Sequence, residues 1–96
     1  KAKNMSISVT VVVKAKLQHH PEIKTLLYSL PELSKKEEAC IEYDVHQSID
    51  DENTFILNEK WKTLEGLSLH NEQAYSKQFF ASFDKLQENP IIYRSK

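Results

Sequence analysis

From Ile7 to Ala15 the side chains alternate, with Ile7, Val9, Val11, Val13 and Ala15 on one side and Ser8, Thr10 and Lys14 on the other. A period of two in a stretch this rich in β-branched residues predicts a half-buried strand. After His20-Pro21-Glu22 the period changes, and Ile23, Leu26, Leu27 and Leu30 recur at helical intervals. Pro21 suits a first helical turn, where its missing N–H has no partner to lose, and Glu22 suits the positive end of the helix dipole. Pro31 predicts a stop or a kink, with Ser29 and Glu32 as a capping box that restarts the helix through Leu33 to about Glu37.

Alternation returns from Cys40 to Gln47, setting Ile41, Tyr43 and Val45 against Glu42, Asp44 and His46. Asp50, Asp51 and Asn53 then predict a turn, because their side chains bond to nearby backbone. Beyond it Phe55, Leu57, Glu59 and Trp61 alternate with Ile56, Asn58 and Lys60, so the two runs read as a hairpin. Thr63 is an N-cap candidate for a short helix carrying Leu64, Leu67 and His70. A longer helix follows, with Tyr75, Phe79, Phe83 and Leu86 on one stripe. Asn89-Pro90 stops it, and Ile91, Ile92 and Tyr93 predict a last short strand.

The order strand, helix, strand, strand, helix, strand predicts an α+β fold in which helices cover one face of a four-stranded antiparallel sheet. The other face carries Val12, Ile56 and part of the last strand, and a second copy's sheet is the economical cover for it. Dimerisation is also favoured by size, since a chain of 96 residues buries only about 60 to 65 % of its unfolded surface by itself. A single domain over residues 5–96 is expected, with Met5 as a candidate start of translation and Lys1 to Asn4 as additions before it.

Composition narrows the partners. Thirteen basic and fourteen acidic residues nearly cancel, and no basic stripe is present for counterion release at phosphates, so nucleic acid is not expected. The longest apolar run, Val11-Val12-Val13, is too short to cross a bilayer, which makes a soluble cytoplasmic protein the expectation. Cys40 is the lone cysteine, so no intrachain disulfide can form. His19 and His20 diverge as neighbours at a helix start, and no further ligand is spaced to complete a metal site. His46 is expected at the dimer side or a solvated edge, and Lys35-Lys36-Glu37-Glu38 as a solvated helix end.

The stretch from Glu37 to Ser48, EEACIEYDVHQS, followed by Asp50-Asp51 and then Phe55-Ile56-Leu57-Asn58-Glu59-Lys60-Trp61, resembles the antibiotic biosynthesis monooxygenase family. His70, nine positions after Trp61, fits the same pattern. The resemblance is densest from Glu37 to His70 and agrees in element order over almost the whole chain. It implies a ferredoxin-like protomer that pairs sheet to sheet into a dimeric α-β barrel, with a ligand pocket between sheet and helices.

Family members include cofactor-independent quinol and anthrone oxygenases, haem-degrading enzymes and a processor of a signalling sugar. The polar residues of the anthrone oxygenases fall on Leu57 and Leu67 here, and those of the haem-degrading members on Val11 or Val12 and about Phe80. A second family His falls on Tyr75. Glu59, Trp61 and His70 remain, as in the small quinol oxygenases and the signal-processing members.

Period two puts Glu59 on the face that also carries Phe55, Leu57 and Trp61, and burial among them would raise its pKa. His70, arriving from the following helix, could hydrogen-bond Glu59 and share a proton with it. These two are the candidate catalytic residues. Trp61, Leu57, Leu67, Tyr75 and Phe79 are the candidates to hold a planar substrate, and no cofactor or metal is expected. A Glu and a His joining strand to helix also make an ordinary structural hydrogen bond, and aromatic residues at these spacings also fill a core.

Three functions stay open: a cofactor-independent oxygenase of a quinol-like or polyhydroxylated compound, an enzyme of a phosphorylated signalling sugar, and a non-catalytic ligand-binding dimer. The sugar enzyme would need cations at the pocket, and Lys14 and Lys60 point to the opposite face of the sheet by alternation.

Overall fold

The first strand, β1 (Ile7–Lys14), follows the alternation, with Val9, Val11 and Val13 buried beneath the helices. The computed structural model describes residues 6–96, so the candidate start at Met5 and the additions before it lie outside the described residues. A 3₁₀ turn over Leu17–His19 leads into α1 (His20–Ser34), which buries Ile23, Leu27, Leu30 and Ser34 along one stripe. Pro31 does not end this helix. Ser29 Oγ donates to the Leu26 carbonyl at 2.6 Å instead of capping a restart, and Pro31 offers its own carbonyl to Lys35 N–H at 2.9 Å. Packing of Leu30 and Ser34 on either side of the proline outweighs the one hydrogen bond that it removes.

The second strand, β2 (Cys40–Gln47), departs from strict alternation at its start. Cys40 pairs with Trp61 and Glu42 with Lys60, leaving Ile41 as an extra residue in a bulge. Cys40 and Tyr43, three apart, therefore both face the helices, while Ile41 is turned to solvent rather than inward as its place in the pattern predicts. The turn forms as its Asp and Asn residues predict: Ser48 Oγ accepts from the N–H groups of Asp50 and Asp51, and Asp51 accepts from Asn53 N–H and Thr54 Oγ1. In β3 (Thr54–Trp61) Phe55, Leu57, Glu59 and Trp61 all lie buried on the helix side.

Thr63 caps α2 (Leu64–Asn71), its Oγ1 accepting from Gly66 N–H at 2.9 Å. A Cβ on Gly66 would collide with that of Ala39, so this glycine lets α2 press against the start of β2. The long helix predicted up to Leu86 is interrupted. It is α3 (Ala74–Phe80), then a 3₁₀ turn over Phe83–Lys85. Ser82 Oγ takes the Phe79 carbonyl at 2.6 Å, and Leu86 leaves the helical path to bridge Ala15 beside β1. Burying Leu86 there wins over continuing the stripe.

The last strand, β4 (Ile91–Ser95), runs two residues further than the pattern predicts and pairs with β1. Strand order is β2-β3-β1-β4, all antiparallel, with the helices on one face: the ferredoxin-like α+β arrangement. No helix among the described residues is long and apolar enough to cross a membrane.

Candidate active site

Register places four side chains in one row across the inner face of the sheet. Tyr43 pairs with Glu59, Glu59 with Val9, and Val9 with Arg94. A cavity of about 230 Å³ opens above this row, between the sheet and the two short helices. Its walls are largely apolar, from Val9, Val11, Leu30, Leu67, Phe79 and Ile92, and its polar groups include Glu59, His70, Ser76 and Arg94.

Glu59 is 8 % exposed. Its Oε1 accepts from Trp61 Nε1 at 3.0 Å, the two being neighbours on one face of β3. Burial pushes its carboxyl up to about 7, although hydrogen bonds from Trp61 and Tyr43 favour the ionised form and work the other way. The Tyr43 hydroxyl is raised above its ordinary range by burial and then by the charge of Glu59, so it stays a donor to that carboxylate.

His70 is held from both sides. Its Nδ1 lies 2.8 Å from Glu37 Oε2, and the Tyr75 hydroxyl donates to the same oxygen at 2.5 Å. An oxygen that takes the Tyr75 proton acts as an acceptor, which assigns the Nδ1 hydrogen to His70 and leaves Nε2 directed at Ser76 Oγ, 3.3 Å away on the cavity wall. The imidazole also packs on Trp61, ring centroids 4.4 Å apart.

Glu59 and His70 both reach the cavity, and so do Leu67 and Phe79. The hydrogen bond expected between Glu59 and His70 is absent among the described residues. Glu59 is taken by its own strand neighbours, and the turn after α1 delivers Glu37 to His70 instead. Glu37, expected in solvent, is only 12 % exposed. Trp61 and Leu57, candidates for direct substrate contact, lie closed behind the wall, and Tyr75 is occupied with Glu37.

Four residues of this site escaped the reading of the sequence. Glu37 is 33 positions from His70, and nothing local announces the pairing. Tyr43 reads as plain core. Ser76 meets His70 only because the chain breaks between α2 and α3. Arg94 was within reach: carrying period two past Tyr93 puts it on the inner face, so a cation does line the cavity, while Lys14 and Lys60 do face away.

The remaining candidates do other work. His20 Nδ1 lies 2.7 Å from Asn53 Oδ1, and His19 Nδ1 lies 3.5 Å from Glu22. His46 is exposed on the outer face, opposite Ile56. Burial raises the Cys40 thiol to about 11, which leaves it protonated and a poor nucleophile at neutral pH.

The family model for antibiotic biosynthesis monooxygenase matches residues 6–82. The chain is 32 % identical over 85 residues to YcnE of Bacillus subtilis (strain 168), which carries the provisional name of a monooxygenase; the match covers 88 % of this chain and 90 % of that protein. A conserved protein from Methanosarcina mazei Go1 superposes with a TM-score of 0.87 at 26 % identity, covering 98 % of this chain and 94 % of the other. Rv0793 from Mycobacterium tuberculosis gives 0.90 at 16 % identity, over 96 % and 94 %, a likeness of fold alone.

Proposed function

The chain belongs to the antibiotic biosynthesis monooxygenase family, and from that premise we propose that it is a cofactor-independent oxygenase of a small quinol-like or polyhydroxylated compound held above Glu59. The observation that carries this reading is a cavity-lining carboxyl that burial raises to about 7. A general base works best when its pKa lies near the working pH.

Glu59 takes a proton from a substrate hydroxyl and leaves an electron-rich ring anion. Such an anion can pass an electron to O₂ directly, recombination of the two radicals forms the carbon–oxygen bond of a hydroperoxide, and its O–O bond then breaks with loss of water, leaving one oxygen on a ring oxidised to the quinone. Trp61 and Tyr43 hold the carboxylate from behind, and Leu57 supports the floor. His70, with Nε2 toward the cavity and Glu37 behind Nδ1, is a second proton acceptor. Leu67 and Phe79 hold the ring between sheet and helices.

The same reading includes a homodimer through the outer face of the sheet. Val12 and Ile56 are half-buried there, and Ile91 and Tyr93 are exposed beside them. An apolar strip of this kind is what a second copy would cover. The lone thiol fits a reducing compartment, and the cytoplasm is the proposed location.

Oxygen uptake with a panel of hydroquinones tests the chemistry. Uptake above the uncatalysed rate is expected for wild type, falling about 10²- to 10⁴-fold in Glu59→Gln. No uptake by wild type with any hydroquinone removes the reading, and full activity in His70→Ala removes the second acceptor. Sedimentation should give a dimer for wild type and a monomer for Ile56→Lys; a wild-type monomer at high concentration overturns the dimer.

A further inference from the structure

Arg94 sits at the far end of the cross-strand row that begins at Tyr43 and Glu59. Both Glu59 and Arg94 pair with Val9, one from each side, so their Cα atoms are separated by two strand spacings, about 10 Å. Period two points both side chains to the helix face, and both line the cavity. No ion pair or side-chain hydrogen bond engages Arg94 among the described residues, whereas Lys35, Lys62, Lys77 and Lys85 are each paired with a carboxylate. Between the two ends the floor is Val9 and Val11, with Ile92 beside Val11, and the roof is Leu67 with Phe79 and Phe80.

A slot with a proton acceptor at one end, a guanidinium at the other and apolar walls between them is matched by one chemical form: a flat ring with a hydroxyl at one edge and an anionic substituent across from it. A single benzene ring, with a hydrogen bond of about 3 Å at each end, spans such a row. The geometry points to a hydroxylated aromatic acid as the substrate class, its hydroxyl at Glu59 and its carboxylate on Arg94. Arg94 is thus a specificity-determining residue. The planar fork of a guanidinium donates bidentately to a carboxylate, which also fixes the ring in the slot. A sugar phosphate shares the anion and would find hydroxyl partners in Ser68, Asn71 and Ser76, but most of the wall, from Val9, Val11, Leu67, Phe79 and Ile92, is apolar and suits a flat ring better.

The assignment rests on the oxygenase reading for its chemistry but not for its recognition, and the two are measured apart. Calorimetric titration of the full chain under nitrogen uses 3,4-dihydroxybenzoate, whose 4-hydroxyl lies across the ring from the carboxylate, and its methyl ester as probes. Wild type is expected to bind the acid at least about tenfold more tightly than the ester, a modest ratio because the guanidinium is exposed. In Arg94→Gln the preference should fall to within about twofold, and Arg94→Lys should retain part of it. Equal binding of acid and ester by wild type, failure of both to bind, or a full preference in Arg94→Gln each overturns the assignment. So does ribose 5-phosphate binding more tightly than either aromatic probe. An intact preference with no oxygen uptake in air supports Arg94 while removing the oxygenase; uptake without any preference does the reverse.

Discussion

Phe55 shares a strand and a face with Glu59 and Trp61, yet the two ends of that row live in different surroundings. The Phe55 end lies under α1, a single helix of fifteen residues that seals it with Ile23 and Leu27. His20 and Tyr28 of that helix close over the Phe55 ring, at centroid distances of 5.7 and 6.3 Å. The other end lies in the half covered by α2 and α3, of eight and seven residues, broken between Asn71 and Ala74. A continuous helix packs flat and dry. A broken one leaves room, and its loose ends bring side chains such as His70 and Ser76 into that room. The cavity is thus a consequence of interrupted cover, and the buried Glu59, His70 and Ser76 survive there because each has a partner.

The sharpest way to break this comparison is to make one truncation in each half. In the dry half Leu27→Ala should lose about 2 to 5 kcal/mol in urea unfolding, because nothing can relax into the space it leaves. A loss under about 1 kcal/mol would mean that the α1 half is not a sealed core.

The next effect belongs to the wet half alone. Folded, the Glu59 carboxyl keeps its proton up to about 7; unfolded, it releases it near 4.5. Between those values the folded chain binds more protons, so stability falls as pH rises through the window and is flat above it. The full drop is about 3 kcal/mol by the standard conversion. Glu59→Gln should lack it, and parallel pH profiles of wild type and variant would contradict the buried acid.

The smallest effect is Leu67→Ala, on a wall that already borders open space. It should fall at or below about 2 kcal/mol, the low end of the range for such truncations. A loss equal to that of Leu27→Ala would erase the distinction between the halves.

Much of this arrangement is legible in the sequence. The inner row of β3 was legible because period two admits one assignment of Phe55, Leu57, Glu59 and Trp61, and Glu59 stood out as the charge among them. His70 was legible as a helix-face residue at the right distance along the chain. Glu37 was not, since its pairing depends on where a turn lands 33 residues earlier. The stop offered at Pro31 does not occur, because a local rule about a lost hydrogen bond says nothing of the packing on either side. The bulge at Ile41 and the break after α3 are likewise tertiary outcomes, set by what Cys40, Tyr43 and Leu86 gain by burial. Arg94 escapes notice for a simpler reason: the apolar run that marks the last strand stops at Tyr93, one residue short of it.

The division of the inner face comes down to the state of one carboxyl. Following the ¹³C shift of the Glu59 side-chain carboxyl through acid and neutral pH, with Glu59→Gln to assign the signal, reads it directly. A midpoint near 7 is expected. A midpoint in the ordinary glutamate range, about 4.3, would mean that the cavity is wet enough to solvate the charge, and Glu59 would then be no base tuned for work at neutral pH.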